Sequence, residues 1–253
     1  MTERLNLGNV SLCAAASVNV SATLRALDRC MRAAYFGEVL LFTDARGLAV
    51  PPGVRIVEIE RLASSQAYST FMLRELPKWV KLDYCLVAQW DGFILDLASW
   101  DPAFFEFDYI GAPWPQFDDG RDVGNGGFSL RSQRLLKACN GIVIGPREPE
   151  DVAICRSNRS RLEEEHGIRF ADAAMASRFA FERDRRVERS FGFHGVFNLV
   201  DAVGPDEFWE IYSELDDRRT IWIDFWLILT TYLKRGGRWS RALKIVRDRC
   251  SGR

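Results

Sequence analysis

Three features of the 253-residue sequence point to an α/β protein with a mainly parallel central sheet flanked by helices. Short apolar runs alternate with stretches of helical periodicity, as strand–helix–strand units require. Polar residues gather just after those runs, where open parallel sheets bind their ligands. The length suits one large domain, expected over residues 1–205, followed by a helical and basic C-terminal extension over residues 206–253.

Residues 10–16 (VSLCAAA) read as a buried first strand. A polar loop over residues 17–21 leads into a helix over residues 22–34, whose Leu24, Leu27 and Met31 recur at helical spacing. Residues 38–42 (EVLLF) form a second strand, closed by Thr43-Asp44. After the turn Pro51-Pro52-Gly53, residues 54–59 (VRIVEI) alternate as a third. A helix over residues 68–76 is expected to end at Pro77. Residues 83–89 (DYCLVAQ) make a fourth strand, with Trp90-Asp91-Gly92 at its carboxyl end. Ser17, Asn19, Asp44 and Asp91 should therefore face one crevice.

The second half is less regular. Residues 109–114 (YIGAPW) read as a short strand, residues 117–127 as a loop rich in Asp and Gly, and residues 133–139 as a short helix. A charged helix is expected over residues 151–165, closed near Gly167. Residues 208–215 and 221–235 also look helical.

A net charge of −1 makes the whole chain a poor match for nucleic acid. Six cysteines without a CxxC pair or zinc spacing suggest a reducing compartment, so a cytoplasmic location is expected. Residues 1–9 lack a signal-peptide apolar core, and the longest apolar stretch, residues 221–233, is interrupted by Asp224 and too short to span a bilayer.

Four places could carry chemistry. Asp91, in QWDGF, is a carboxylate at a strand end beside a glycine, which suits a hard cation; it also suits an ordinary Asp-Gly turn. Gly124-Asn125-Gly126-Gly127 frees the backbone for close approach to a ligand, or is a mobile loop tip. Glu150-Asp151 after Pro149 is either a general base on a rigid helix start or a pair of acids favoured there by the helix dipole. His194 in FGFHG is a metal ligand or a satisfied core group.

These four sites stand in the order found in the A-type glycosyltransferases, which the chain resembles. In that superfamily a DxD-type motif ends a strand, then come a glycine-rich loop, an acidic pair at a helix start and a late histidine. The counterparts here are Gln89-Trp90-Asp91, GNGGFSLR from Gly124, Pro149-Glu150-Asp151 and His194. More closely, the stretch over residues 10–198 is similar to a bacterial glycosyltransferase-like family carrying QWDGF, DYIGAPW, GNGGFSLRS and FGFHG. One departure is Gln89, which replaces the first Asp of DxD and adds no charge.

The resemblance implies transfer of a sugar from a nucleotide-diphosphate sugar, with UDP as default base, to a hydroxyl of a glycan or lipid-linked acceptor with inversion. Asp91 and His194 would hold Mn²⁺ or Mg²⁺. Asp151, supported by Glu150, would be the general base. Gln89, Gly126 and Gly127 would contact the donor and Asn125 the acceptor side. From the sequence itself, Ser17, Asn19 and Asp44 either contact the base and ribose of the donor or are ordinary loop polarity, and Trp114 either stacks on a sugar face on the acceptor side or packs in the core. Arg131 would pair with a phosphate or with a structural acid. The competing readings are a non-catalytic nucleotide-sugar binding protein, a nucleotidyltransferase and a scaffold protein.

The C-terminal segment over residues 234–253 carries eight basic residues against Asp248, interleaved with Trp239, Leu243, Ile245 and Val246. It reads as a tail lying on an anionic membrane or as a basic helix packed on the domain. The apolar run Phe225–Leu229 is expected in the core or in a homodimer contact.

Overall fold

A computed structural model of the protein describes residues 4–184, 187 and 189–252. Strand β1 (Leu5–Ala15) is followed by helix α1 (Val20–Ala33), β2 (Ala34–Thr43) and β3 (Val54–Glu58). Next come α2 (Ser65–Arg74), α3 (Leu76–Trp79), β4 (Tyr84–Val87), β5 (Tyr109–Ile110) and β6 (Ser129–Ser132). Helices α4 (Gln133–Ala138), α5 (Glu150–Val152), α6 (Arg159–His166) and α7 (Ala173–Phe179) lead to β7 (Ala180–Phe181) and β8 (Gly192–Phe193). The chain closes with α8 (Val196–Glu214), α9 (Phe225–Lys234) and α10 (Trp239–Cys250).

The main sheet has the order β3-β2-β1-β4-β6-β5. Strands β1 to β4 are parallel to one another, and β6 runs antiparallel to both β4 and β5. The protein is thus a mixed α/β structure with a mostly parallel central sheet flanked by helices. Alternation along the strands fills both faces. Leu12, Ala14 and Leu41 join α1 and the C-terminal helices on one side, while Cys13, Leu40 and Phe42 meet Phe71, Met72 and Leu76 on the other. A third cluster, with Leu135, Ile154 and Leu162, packs under the helices that follow β6.

Several elements differ from the sequence expectation. β1 starts at Leu5, not at residue 10, because its polar first half is held by pairing of Leu5–Leu7 with Ala34–Phe36. Pro77 does not end helical structure. It sits in the first turn of α3, where its missing N–H removes no helical bond. The strand expected over residues 109–114 is two residues long, and Pro113 makes only an isolated bridge with Val123. The single helix expected over residues 151–165 is interrupted by a π-helical stretch, Ala153–Ser157, and closes at Gly167 as read. Of the run Phe225–Leu229, Phe225, Ile228 and Leu229 are buried, whereas Trp226 and Leu227 are exposed and so lie outside the core. Among the described residues no helix is long and apolar enough to cross a membrane. Arg253 of the basic tail lies outside the described residues.

Candidate active site

The sheet topology brings two distant segments together. Because β6 is antiparallel to β4, Ser129 pairs with Val87. The glycine loop that enters β6 and the QWDGF segment that leaves β4 therefore meet at the same end of the sheet. A small parallel pair adds two more groups. Phe181 of β7 is in register with Phe193 of β8, so the next residues, Glu182 and His194, emerge side by side. The Asn198 amide donates to the carbonyls of both, fixing the backbone at each strand end.

His194 is the hub. Its Nε2 lies 3.5 Å from Asp91 Oδ1 and 3.2 Å from Gln89 Oε1. Its Nδ1 lies 3.2 Å from Glu182 Oε1 and 3.1 Å from Asn125 Nδ2. Burial alone would lower the imidazole pKa, but the carboxylates of Asp91 and Glu182 outweigh it and raise the value to about 10. Asp91 is buried, and its Oδ1 accepts no hydrogen bond. The ring is wedged against the glycine loop: a Cβ on Gly127 would lie 2.1 Å from Nε2, so only glycine fits there.

The same loop reaches Asp151. Asn125, at a φ of 59°, turns its Oδ1 back to accept from the amides of Gly127 and Phe128. This leaves the Gly126 N–H free to donate to Asp151 Oδ2 at 2.9 Å, while the Val152 N–H donates to Oδ1. Burial, reinforced by neighbouring Glu150, pushes the Asp151 carboxyl up to about 6 against those two amides and Arg131.

Glu150 departs from the expected catalytic role beside Asp151. Its carboxylate turns inward and accepts from Arg131 Nη2 at 2.8 Å in a buried ion pair, and Arg131 also donates to the Gly126 carbonyl. Of the two readings for Arg131, the structural acid is the one found. A Cβ on Gly126 would lie 2.1 Å from Glu150 Oε1, so the loop rests directly on this pair.

The residues expected on the donor side divide. Ser17 lines a cleft of about 240 Å³ with Tyr68, Gln89 and Trp90, and its hydroxyl accepts from the Leu62 amide. Ser17 also borders a neighbouring cleft of about 410 Å³ with Asp44, Arg61 and Asp216. Asp44 Oδ1 is buried without a hydrogen-bond partner, and its other oxygen is 3.7 Å from Arg61. Gln89 connects the smaller cleft to the hub, since its amide also donates to the Tyr68 hydroxyl. Asn19 is placed differently. It is buried, and its side chain holds the backbone of Asp217 through two hydrogen bonds. Trp114 is only 7% exposed, with Gly124 against its ring, so it packs in the core and offers no open face to a sugar.

Glu182 and Tyr68 were not singled out by sequence reasoning. The signal for Glu182 was the match between FAFE and FGFH, two short apolar runs each ending in a polar residue; it was masked by the charged stretch that follows.

One solved structure, described as a glycosyltransferase involved in the glycosylation of the major capsid of PBCV-1, superposes with a TM-score of 0.44 at 11% identity, covering 73% of this chain and 91% of that one. No curated protein matches. A family model described as "Protein of unknown function (DUF5672)" matches residues 53–194, from the third strand to the histidine hub, which is more than half of the chain. The chain therefore belongs to the DUF5672 family.

Proposed function

We propose that the protein is a glycosyltransferase that moves a sugar from a nucleotide-diphosphate sugar, with UDP as the leading candidate base, to a hydroxyl of a glycan or lipid-linked acceptor. One observation carries this reading: a single four-residue loop touches His194 through Asn125 and Gly127 and Asp151 through Gly126. The metal-side pair and the candidate base, 60 residues apart between Asp91 and Asp151, thus border one place.

Asp91 and His194 are the residues that would hold Mn²⁺ or Mg²⁺. The buried Oδ1 of Asp91, which accepts no hydrogen bond, lies 3.5 Å from His194 Nε2, and the pair fits such a cation once the imidazole gives up the proton that Asp91 and Glu182 favour. Among the described residues no group of three or more His, Cys, Asp or Glu side chains is set to hold a metal, so the remaining ligands would come from the donor diphosphate and water. When bound, the ion supplies positive charge against the negative charge that grows on the departing diphosphate.

The chain's own groups do the rest. The clefts bordered by Ser17, Asp44 and Gln89 would take the nucleotide. Gly126 and Gly127 let the backbone approach the transferred sugar, and Asn125 keeps the loop in that shape. Asp151 accepts the proton of the acceptor hydroxyl as its oxygen bonds to the anomeric carbon. The bond from that carbon to the diphosphate oxygen breaks on the opposite face, which inverts the centre. Glu150 and Arg131 position Asp151 without touching substrate.

The test pairs binding with product analysis. Nucleotides and nucleotide-sugars are screened by thermal shift with and without Mn²⁺, and a hit should raise the melting temperature by mass action. Turnover should release a nucleoside diphosphate, and Asp151→Asn should keep donor affinity while losing turnover. Pyrophosphate release would instead establish a nucleotidyltransferase, and the absence of any nucleotide binding would end the proposal.

A further inference from the structure

We infer that the outward face of the α9–α10 hairpin is a docking surface for an anionic lipid bilayer. The inference stands independently of the transferase reading. Ten large hydrophobic side chains are exposed among the described residues, and five of them fall between positions 223 and 243: Ile223, Trp226, Leu227, Trp239 and Leu243. Ile223 is 91% and Trp239 72% exposed. The fold does not need them. The helices are already anchored by their opposite faces, α9 through Phe225, Ile228 and Tyr232 and α10 through Ala242 and Ile245. Apolar side chains concentrated in this way mark a surface that is covered in use.

Spacing and charge identify the cover. Trp239, Leu243 and Arg247 recur every fourth residue, so they share one stripe of α10. Trp226, Leu227, Thr230 and Lys234 form the exposed side of α9. Residues 225–252 hold seven basic residues and one acid, Asp248, within a chain whose net charge is −1. That acid is buried and taken by Tyr212, Arg218 and Lys244. Lys234, Arg238 and Arg247 have no acid within ion-pair distance among the described residues.

A second copy of the same face would bring like charges together, which disfavours a symmetric dimer through it. A surface that offers negative headgroups above hydrocarbon satisfies both features. Tryptophan prefers the headgroup depth, and the basic side chains meet the phosphates. With helices of ten and twelve residues, the hairpin would lie in the interface plane and not span it.

Co-sedimentation of the full chain with phosphatidylcholine vesicles, with and without phosphatidylglycerol, tests this. Binding is expected only to the anionic vesicles and should weaken with salt. Trp226→Ser with Trp239→Ser should weaken it by about tenfold or more, and so should Arg238→Glu with Arg247→Glu. All four side chains are exposed or solvent-facing, so unchanged thermal melting is expected and separates lost docking from lost folding. Tryptophan quenching by brominated lipid should fall with the first pair. No vesicle binding, equal binding to both vesicle types, or unaltered binding by both variant pairs overturns the inference. So does a dimer that the tryptophan variant dissociates.

Discussion

At Asp151 the requirements of stability and of chemistry run in opposite directions. Its carboxyl is raised to about 6 by burial and by Glu150, whereas the unfolded chain titrates it near ~4. Between those values the folded state binds a proton that the unfolded state does not. Stability from this group therefore rises as pH falls through about 6 and levels off below ~4; at neutral pH the ionised carboxylate is a cost. A general base needs the ionised form, so kcat/KM should climb as pH rises through about 6 and then flatten. Asp151→Asn should lower turnover by roughly 10²–10⁴-fold without lowering the melting temperature at pH 7. An activity limb centred near ~4, or a marked loss of stability in the Asn variant, would count against the role. Asp91, Asp151 and His194 could be picked out as candidates from the sequence because each stands in a short motif. Glu182 was not, since it is tied to His194 by strand register across a charged segment, and register is a property of pairing that one strand alone does not display.

The contact between α5 and β6 sets the site's frame. Arg131 is fully buried on β6, and Glu150 opens α5 with its amide bound to the Ser69 hydroxyl of α2. Three elements are thereby joined at one ion pair, and the glycine loop lies on top of it. Removing the carboxylate leaves a buried guanidinium without its counter-charge. Glu150→Ala should thus destabilise the protein by about 3–5 kcal/mol, read as a lower urea midpoint. An unchanged midpoint would place Glu150 back among groups free to act on substrate. The parallel half of the sheet was readable from short apolar runs separated by helical periodicity, and those strands fall where the runs are. The reversed direction of β6 was not, because four residues carry no mark of which way they pair. The π-helical stretch within residues 153–157 was equally hidden, since α and π turns use the same residue types.

On the scale of the whole molecule, the expected boundary between residues 205 and 206 falls inside α8, next to a kink at Gly204 and Pro205. The contacts run across it. Phe208, Ile211, Tyr212, Phe225, Ile228 and Tyr232 belong to the same buried cluster as Leu12, Leu24 and Leu27. Asn19 clasps the backbone of Asp217, Arg25 pairs with Glu210 and Glu214, and Arg29 pairs with Glu207. The extension therefore completes one face of the sheet. Without it, α1 and β1 would expose a large apolar surface to water, each fully uncovered side chain costing about 1.5–3 kcal/mol. Against a total stability of about 5–15 kcal/mol, that loss is decisive. Urea unfolding of the intact chain should show one transition, superimposable by tryptophan fluorescence and by far-UV circular dichroism. A chain ending at residue 205 should aggregate or lose its cooperative transition. Two separate transitions in the intact protein, together with a folded truncated chain, would show instead that the C-terminal helices are a detachable unit and that the β1–α1 core closes without them.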